Sequence, residues 1–379
     1  MFRRLILCIV VLSSGIWYGC LSTSSKNQSI QLPNKLQYAE NFKWYSTPSY
    51  DLLEVSTPLE NSKTERYLVV PKGSEIPEGV AYDVLIRPGL EKVIATSTPQ
   101  IAALESLDLL DYWVGFPQPE LISSAPARQR IKAGLVTPIG VNNGLNVEKI
   151  WALQPELFLG FEVDGNNPSY TQLKRMGVPL VLVHDWMEKT PLGKAEWLLF
   201  FGVLFGKQQV ALQQFKAIEK RYYELLQKVP KNTDTAAVAL AGSVYKDQWY
   251  APGGQSFMAQ FLADCQVQYT GAHTKETGSL TLSLERLMLE GHQADVWLTP
   301  GSFDSYQDLL QQYPMLESIK PFQNKKIYTY KKHSINGEAK ILYFEQAGLH
   351  PDKVLADLLK IFYPEVFLST PWHYFTPLK

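Results

Sequence analysis

Residues 207–229 read KQQVALQQFKAIEKRYYELLQKV. Ala211, Phe215, Ile218, Tyr222, Leu225 and Val229 recur at spacings of four and three, which places them on one stripe of a helix. At 1.5 Å per residue such a helix runs roughly 35 Å, long enough to bridge two domains. Pro230 ends it, and Gly206 breaks a helical region that starts at Pro191. Upstream, apolar runs at Val93–Ala95, Val114–Phe116, Leu157–Phe161 and Leu180–His184 alternate with helical stretches at Pro99–Ser106, Val147–Leu153 and Tyr170–Met176. Downstream the alternation resumes, with strands at Ala236–Ala241, Ala294–Thr299 and Ile327–Tyr330 and helices at Ser256–Cys265, Leu284–Glu290 and Pro351–Phe362. The pattern predicts an α/β protein: two Rossmann-like lobes with central, mainly parallel sheets, joined by one long rigid helix.

A chain of 379 residues exceeds what one hydrophobic core usually supports. The expected division is an N-terminal lobe over 43–190, a linking helical region over 191–230 and a C-terminal lobe over 231–379. A formal charge of -1 with 19% charged residues gives no sign of a polyanionic partner, so no nucleic acid is expected. Aromatic residues reach 12%, which suits surfaces that grip flat or apolar ligands as well as an aromatic-rich core.

The first twenty residues read as an address. Arg3 and Arg4 precede an apolar stretch from Leu5 to Tyr18, too short for a mature membrane span, and Gly19-Cys20 follows. Residues 1–20 are therefore expected to be a signal peptide, and 21–42, polar at its start, a tether. The Gly-Cys end resembles a lipoprotein cleavage box, which implies lipidation of Cys20, although Trp17 and Tyr18 depart from its usual residues. Cys8 and Cys20 aside, only Cys265 remains, so no disulfide framework or thiolate metal cluster can form.

The halves also repeat a phrase. Asn146-Val147-Glu148-Lys149-Ile150 precedes one apolar strand, and Ser283-Leu284-Glu285-Arg286-Leu287 precedes another. Ordinary helix-start chemistry explains both: Asn146 or Ser283 caps, and a first-turn glutamate gains about 0.3–1 kcal/mol from the helix dipole. Together with Val93-Ile94-Ala95-Thr96-Ser97-Thr98-Pro99, Gly140 through Ile150, Pro191 through Trp197 and Leu355 through Pro364, the chain resembles periplasmic substrate-binding proteins of ABC importers. The similar group is the helical-backbone type, which serves cobalamin, ferric siderophores, heme and some free metals. The resemblance covers about residues 88–366. It implies a monomeric, exported, lipid-anchored receptor that hands an iron chelate or corrinoid to a permease in the inner membrane and needs no cofactor. It also implies that Glu148 and Glu285 dock into permease arginines, a directional carboxylate–guanidinium contact. Gln100 stands where many relatives carry a further glutamate.

In such a fold the ligand lies between the lobes, at loops following the strands' carboxyl ends. The expected site is Thr96, Ser97, Thr98, Asn142, Asn143, Phe161 and Trp186 from the first lobe, with the acidic loop running on to Asp164. The second lobe would add Tyr245, Trp249, Tyr250, Ser279 and Phe303. Tyr245 through Gly254 is expected to be a loop whose aromatics form a stacking wall. Six scattered His, of which only His184, beside Asp185, sits at a strand end, fall short of a metal cage, so no metal site is expected. Heme or free-metal binding and a scaffold role are the alternatives. No Gly-x-Ser-x-Gly, phosphate loop or His-Glu-x-x-His occurs, so the chain is not read as an enzyme.

Overall fold

Val93–Ala95 forms a strand in which all three side chains are buried, as expected of a parallel strand covered on both faces. The computed structural model describes residues 32–56, 64–163, 165, 167–230, 236–335 and 337–379. The signal peptide, Cys20 and Asp164 lie outside the described residues.

The chain first makes a four-stranded sheet: β1 (Phe42–Ser46), β2 (Asp51–Ser56), β3 (Thr64–Val69) and β4 (Val84–Ile86), paired in that order. The first lobe follows as β5 (Val93–Ala95), α1 (Thr98–Ser106), β6 (Trp113–Phe116), α2 (Ala125–Lys132), β7 (Thr137–Pro138), the two-stranded β8 (Gly140–Val141) and β9 (Gly144–Leu145), and α3 (Val147–Leu153). It ends with β10 (Leu157–Gly160), α4 (Pro168–Arg175) and β11 (Leu180–Leu182). Its central sheet has the order β11-β10-β5-β6-β7, every pairing parallel. Tyr67 ties the first sheet to it, donating from its hydroxyl to Glu65 and accepting from the Leu182 amide at 2.9 Å.

Two helices then run in succession, α5 (Pro191–Leu204) and α6 (Gln208–Leu226). The break falls at Gly206, whose φ of +70° suits glycine. There the Lys207 amide reaches back to Gly202 and the Gly206 amide to Val203, closing a Schellman turn. Ala211 and Phe215 of α6 belong to the first lobe's core, and Tyr222 to the second lobe's. The rod therefore spans both cores as expected, but stops short of Val229. Pro230 disfavours helical geometry at the residue before it, and the last turn unwinds.

The second lobe runs β12 (Val238–Ala241), β13 (Ser243–Tyr245), β14 (Gln248–Pro252), α7 (Phe257–Asp264), β15 (Gln268–Tyr269), β16 (Ser279–Ser283), α8 (Leu284–Gly291) and β17 (Val296–Leu298). It continues through α9 (Tyr306–Gln312), α10 (Lys320–Gln323), β18 (Ile327–Tyr330), the hairpin β19 (Lys332–Ile335) and β20 (Glu338–Ile341), α11 (Tyr343–Gln346), α12 (Pro351–Phe362) and β21 (Phe375–Pro377). Its sheet order is β15-β12-β17-β18-β21, parallel except for β21.

The stretch expected to be a tether as far as residue 42 is docked from residue 37 onward. Glu196 of α5 accepts the amides of Gln37, Tyr38 and Ala39 at 2.8–2.9 Å, and Glu188 accepts those of Glu40 and Asn41. Buried carboxylates need such donors, and the docked backbone supplies them.

Candidate functional site

The loops after β5, β6, β10 and β11 converge on a hollow of about 320 Å3. It is lined by Thr96 to Pro99, Phe116 to Gln118, Leu121, Asn142, Phe161, Asp185, Trp186 and Lys194. Sequence dictates this convergence, because the carboxyl ends of parallel neighbours open on one edge. Gln100 fixes the first loop: buried in α1, its Oε1 accepts the amides of Thr96 at 2.8 Å and Ser97 at 3.2 Å. Thr96 Oγ1 donates to Leu159 O, and the Tyr170 hydroxyl both accepts from the Phe161 amide and donates to Phe161 O. Phe161 and Trp186 meet edge to face at 6.3 Å, making one apolar wall.

Asn142 Oδ1 and Trp186 Nε1 at this wall are buried with no hydrogen-bond partner among the described residues, as is Ser97 Oγ on the facing loop. A ligand that offers a donor to the first and an acceptor to the second would satisfy both. Among the described residues Lys194 is the one cation lining the hollow, and it is the one residue of α5 that is not buried. Its Nζ lies 4.7 Å from the ring centroid of Phe257 on α7, so it stands where the lobes adjoin. Burial raises the Asp185 carboxyl above its ordinary value, and Lys194 opposes that rise. Burial likewise lowers the His184 imidazole.

A second hollow of about 360 Å3 shares Asn142 and Phe161 with the first and adds Asn143, Glu162, Val163, Asn167 and Pro168. The two adjoin at Asn142 and Phe161 and are together called the trough. All seven first-lobe residues expected from the sequence line it.

The periplasmic binding protein family model matches residues 93–333, well over half the chain. The chain belongs to that family. It is a solute-binding protein of an ABC transporter, a receptor and not an enzyme. It is 23% identical over 326 residues to an uncharacterized lipoprotein of Methanocaldococcus jannaschii, covering 82% of this chain and 75% of the other. Among solved structures it resembles the molybdate periplasmic binding protein MolA of Haemophilus influenzae, with a TM-score of 0.59 and 15% identity. That likeness covers 76% of this chain and 91% of the other. It also resembles the petrobactin-binding protein YclQ of Bacillus subtilis, with a TM-score of 0.55 and 11% identity, over 83% and 98% of the two chains.

The binding protein's second lobe corrects part of the expected site. The stretch from Tyr245 to Gly254 is no loop: β13 and β14 make a hairpin whose turn residues Lys246 and Asp247 both have positive φ. Alternation then sends Trp249 inward, 1% exposed, its Nε1 donating to Ala241 O, so it cannot offer a stacking face. Phe303 is buried too, edge to face with Tyr313 at 6.2 Å. Tyr245 is 57% exposed, Tyr250 is half-buried with its hydroxyl on Gln248, and Ser279 is exposed at the start of β16. None of the five lines either hollow.

Glu148 and Glu285 both occupy the first turns of capped helices and are exposed. Asn146 accepts from Lys149 N at 2.8 Å and Ser283 from Arg286 N at 3.3 Å. Hydrogen bonding from Ser283 lowers the Glu285 carboxyl. Among the described residues no group of three or more His, Cys, Asp or Glu could hold a metal. No described helix is long and apolar enough to cross a membrane. Sequence reasoning missed Pro117, Gln118, Leu121 and Lys194. Lys194 carried a signal: it is the only basic residue in a helix whose one other charged residue is Glu196, and a charge in so apolar a helix needs a reason.

Proposed function

We propose that the trough lined by Thr96, Asn142, Phe161, Trp186 and Lys194 captures a ferric chelate of siderophore type or a corrinoid for delivery to an ABC permease. The carrying observation is the pairing of the Phe161–Trp186 wall with two unpartnered polar atoms, Asn142 Oδ1 and Trp186 Nε1. A flat, amphipathic ligand satisfies both kinds of surface. Lys194 adds one positive charge, so a ligand with a single anionic group is favoured over a polyanion. The petrobactin-binding protein in the same fold supports this reading.

A small oxyanion is the second reading, favoured by the modest volume of the first hollow, by Lys194 and by the molybdate-binding relative in fold. On either reading Glu148 and Glu285 orient the receptor on the permease. Lipidation of Cys20 holds the exported protein at a membrane, a reading supported by relatives named lipoproteins. The lobes of this reading are 43–190 and 231–379 with 191–230 as the link.

Titrating the full chain with cobalamin, a ferric hydroxamate, heme, molybdate and bare ferric ion while following tryptophan fluorescence tests the reading. Saturation by a ferric chelate or cobalamin supports it, saturation by molybdate alone selects the oxyanion, and response to none removes both.

A further inference from the structure

One wall of the first hollow, Phe116 to Leu121, runs directly into Ile122, Ser123 and Ser124 at the start of α2. The second lobe reaches across the chain to hold this segment. Glu345 of α11, 1% exposed, accepts the Ser123 amide at 2.7 Å and the Ser124 amide at 2.9 Å. Ser123 Oγ donates to Ile341 O at 3.3 Å, Lys340 Nζ donates to Glu120 O at 3.1 Å, and Arg128 pairs with Glu338 at 2.9 Å. These partners lie more than 200 residues apart in sequence, so none of the bonds follows from local chain geometry. α11 also packs on α1, whose first turn supplies Thr98 and Pro99 to the same hollow. Two walls of the hollow thus bear on one short helix of the opposite lobe.

We propose that residues 338–345 form a cross-lobe latch in which Glu345 is the positioning residue, holding the Phe116–Leu121 wall in its ligand-ready place. The latch rests on the reading of the hollow as the ligand site. The Glu345 bonds are the inner part of the latch, shielded from water. Arg128, Glu338 and Lys340 form its rim, where the partly buried Arg128 and Lys340 share the exposed Glu338 carboxylate, and a pair open to water on one side contributes little.

Ionisation tunes the inner part. Burial pushes the Glu345 carboxyl up to about 7 against the two amide donors, and Glu105 of α1 adds to the rise. Released into water, the carboxyl returns towards its ordinary 4.5, so the closed latch binds a proton more tightly than the open one. Raising pH from 4.5 through about 7 therefore loosens the latch.

Hydrogen–deuterium exchange over residues 119–128 of the ligand-free full chain, corrected for intrinsic rate, reads the latch directly. Wild-type protection is expected to fall about tenfold or more between pH 5 and pH 8. Glu345→Ala is expected to lose about tenfold at pH 5, and Glu345→Gln, which keeps one acceptor, to give intermediate protection flat with pH. If Glu345→Ala also strips protection from α12, that variant has unfolded the lobe and Glu345→Gln carries the test. Protection that is unchanged by the substitution and independent of pH overturns the latch. The titration with cobalamin, ferric hydroxamate and molybdate is run in parallel. Loss of protection without binding of any probe leaves the latch standing and removes the ligand reading, whereas binding with unaltered exchange removes the latch alone.

Discussion

Gly202 of α5 faces Ala211 of α6 with no room for a methyl group between them: a Cβ built on Gly202 would lie 2.5 Å from the Ala211 Cβ. The linking helix thus grips its partner by backbone contact, and the first lobe's core continues through the joint. Gly202→Ala must push the two helices apart. The expected cost is about 1–3 kcal/mol, read as a lowered midpoint in thermal or denaturant unfolding.

Trp249 and Tyr245 separate structure from surface. Trp249→Ala is expected to cost roughly 3–5 kcal/mol, because it empties a fully buried indole site. Tyr245→Ala, on the open side of the same hairpin, is expected to change stability by less than about 0.5 kcal/mol. Denaturant midpoints of the two variants check the contrast.

This contrast also shows what could be read from sequence. The bounds of β5, α3, β18 and α12 match the expectation, because Asn146 and Pro351 mark helix starts, β5 is apolar throughout and β18 is made of β-branched and aromatic residues. The convergence of the first-lobe loops was legible because strand ends in one parallel sheet point to one edge, although Asn142 and Asn143 reach it from the β8–β9 turn. The hairpins β13–β14 and β19–β20 were not legible. With no glycine in the Lys246-Asp247 turn and aromatics running into Pro252-Gly253-Gly254, the first of them reads as loop despite its alternation of polar and apolar residues. Lys194 and Glu345 act across the chain, through partners that no local pattern names.

Glu196 anchors the segment that leads into the folded body. Glu196→Ala leaves the amides of Gln37, Tyr38 and Ala39 without their acceptor and is expected to cost roughly 3 kcal/mol. Limited proteolysis is expected to cut between residues 34 and 41 faster in this variant than in the wild type.

Two buried groups give opposite pH slopes. The folded-state pKa of Glu345 is raised, so its contribution is present below 4.5 and lost as pH rises through about 7. His350 is lowered, first by burial and then by Lys353, so its neutral form is favoured and stability is lost as pH falls below 6.5. Glu345→Gln is expected to remove the loss towards neutral pH, and His350→Asn the loss towards acid. Unfolding midpoints of both variants and the wild type between pH 4.5 and pH 8 test the two signs.

The central claim is that the Phe161–Trp186 wall beside Asn142 and Lys194 receives the transported solute. The direct measurement is the dissociation constant of the probe that saturates the wild type, repeated for Trp186→Ala and Lys194→Ala with unfolding midpoints as controls. The account predicts affinity losses of about tenfold or more in each, with unfolding midpoints near that of the wild type. Affinity unchanged in both variants would contradict it.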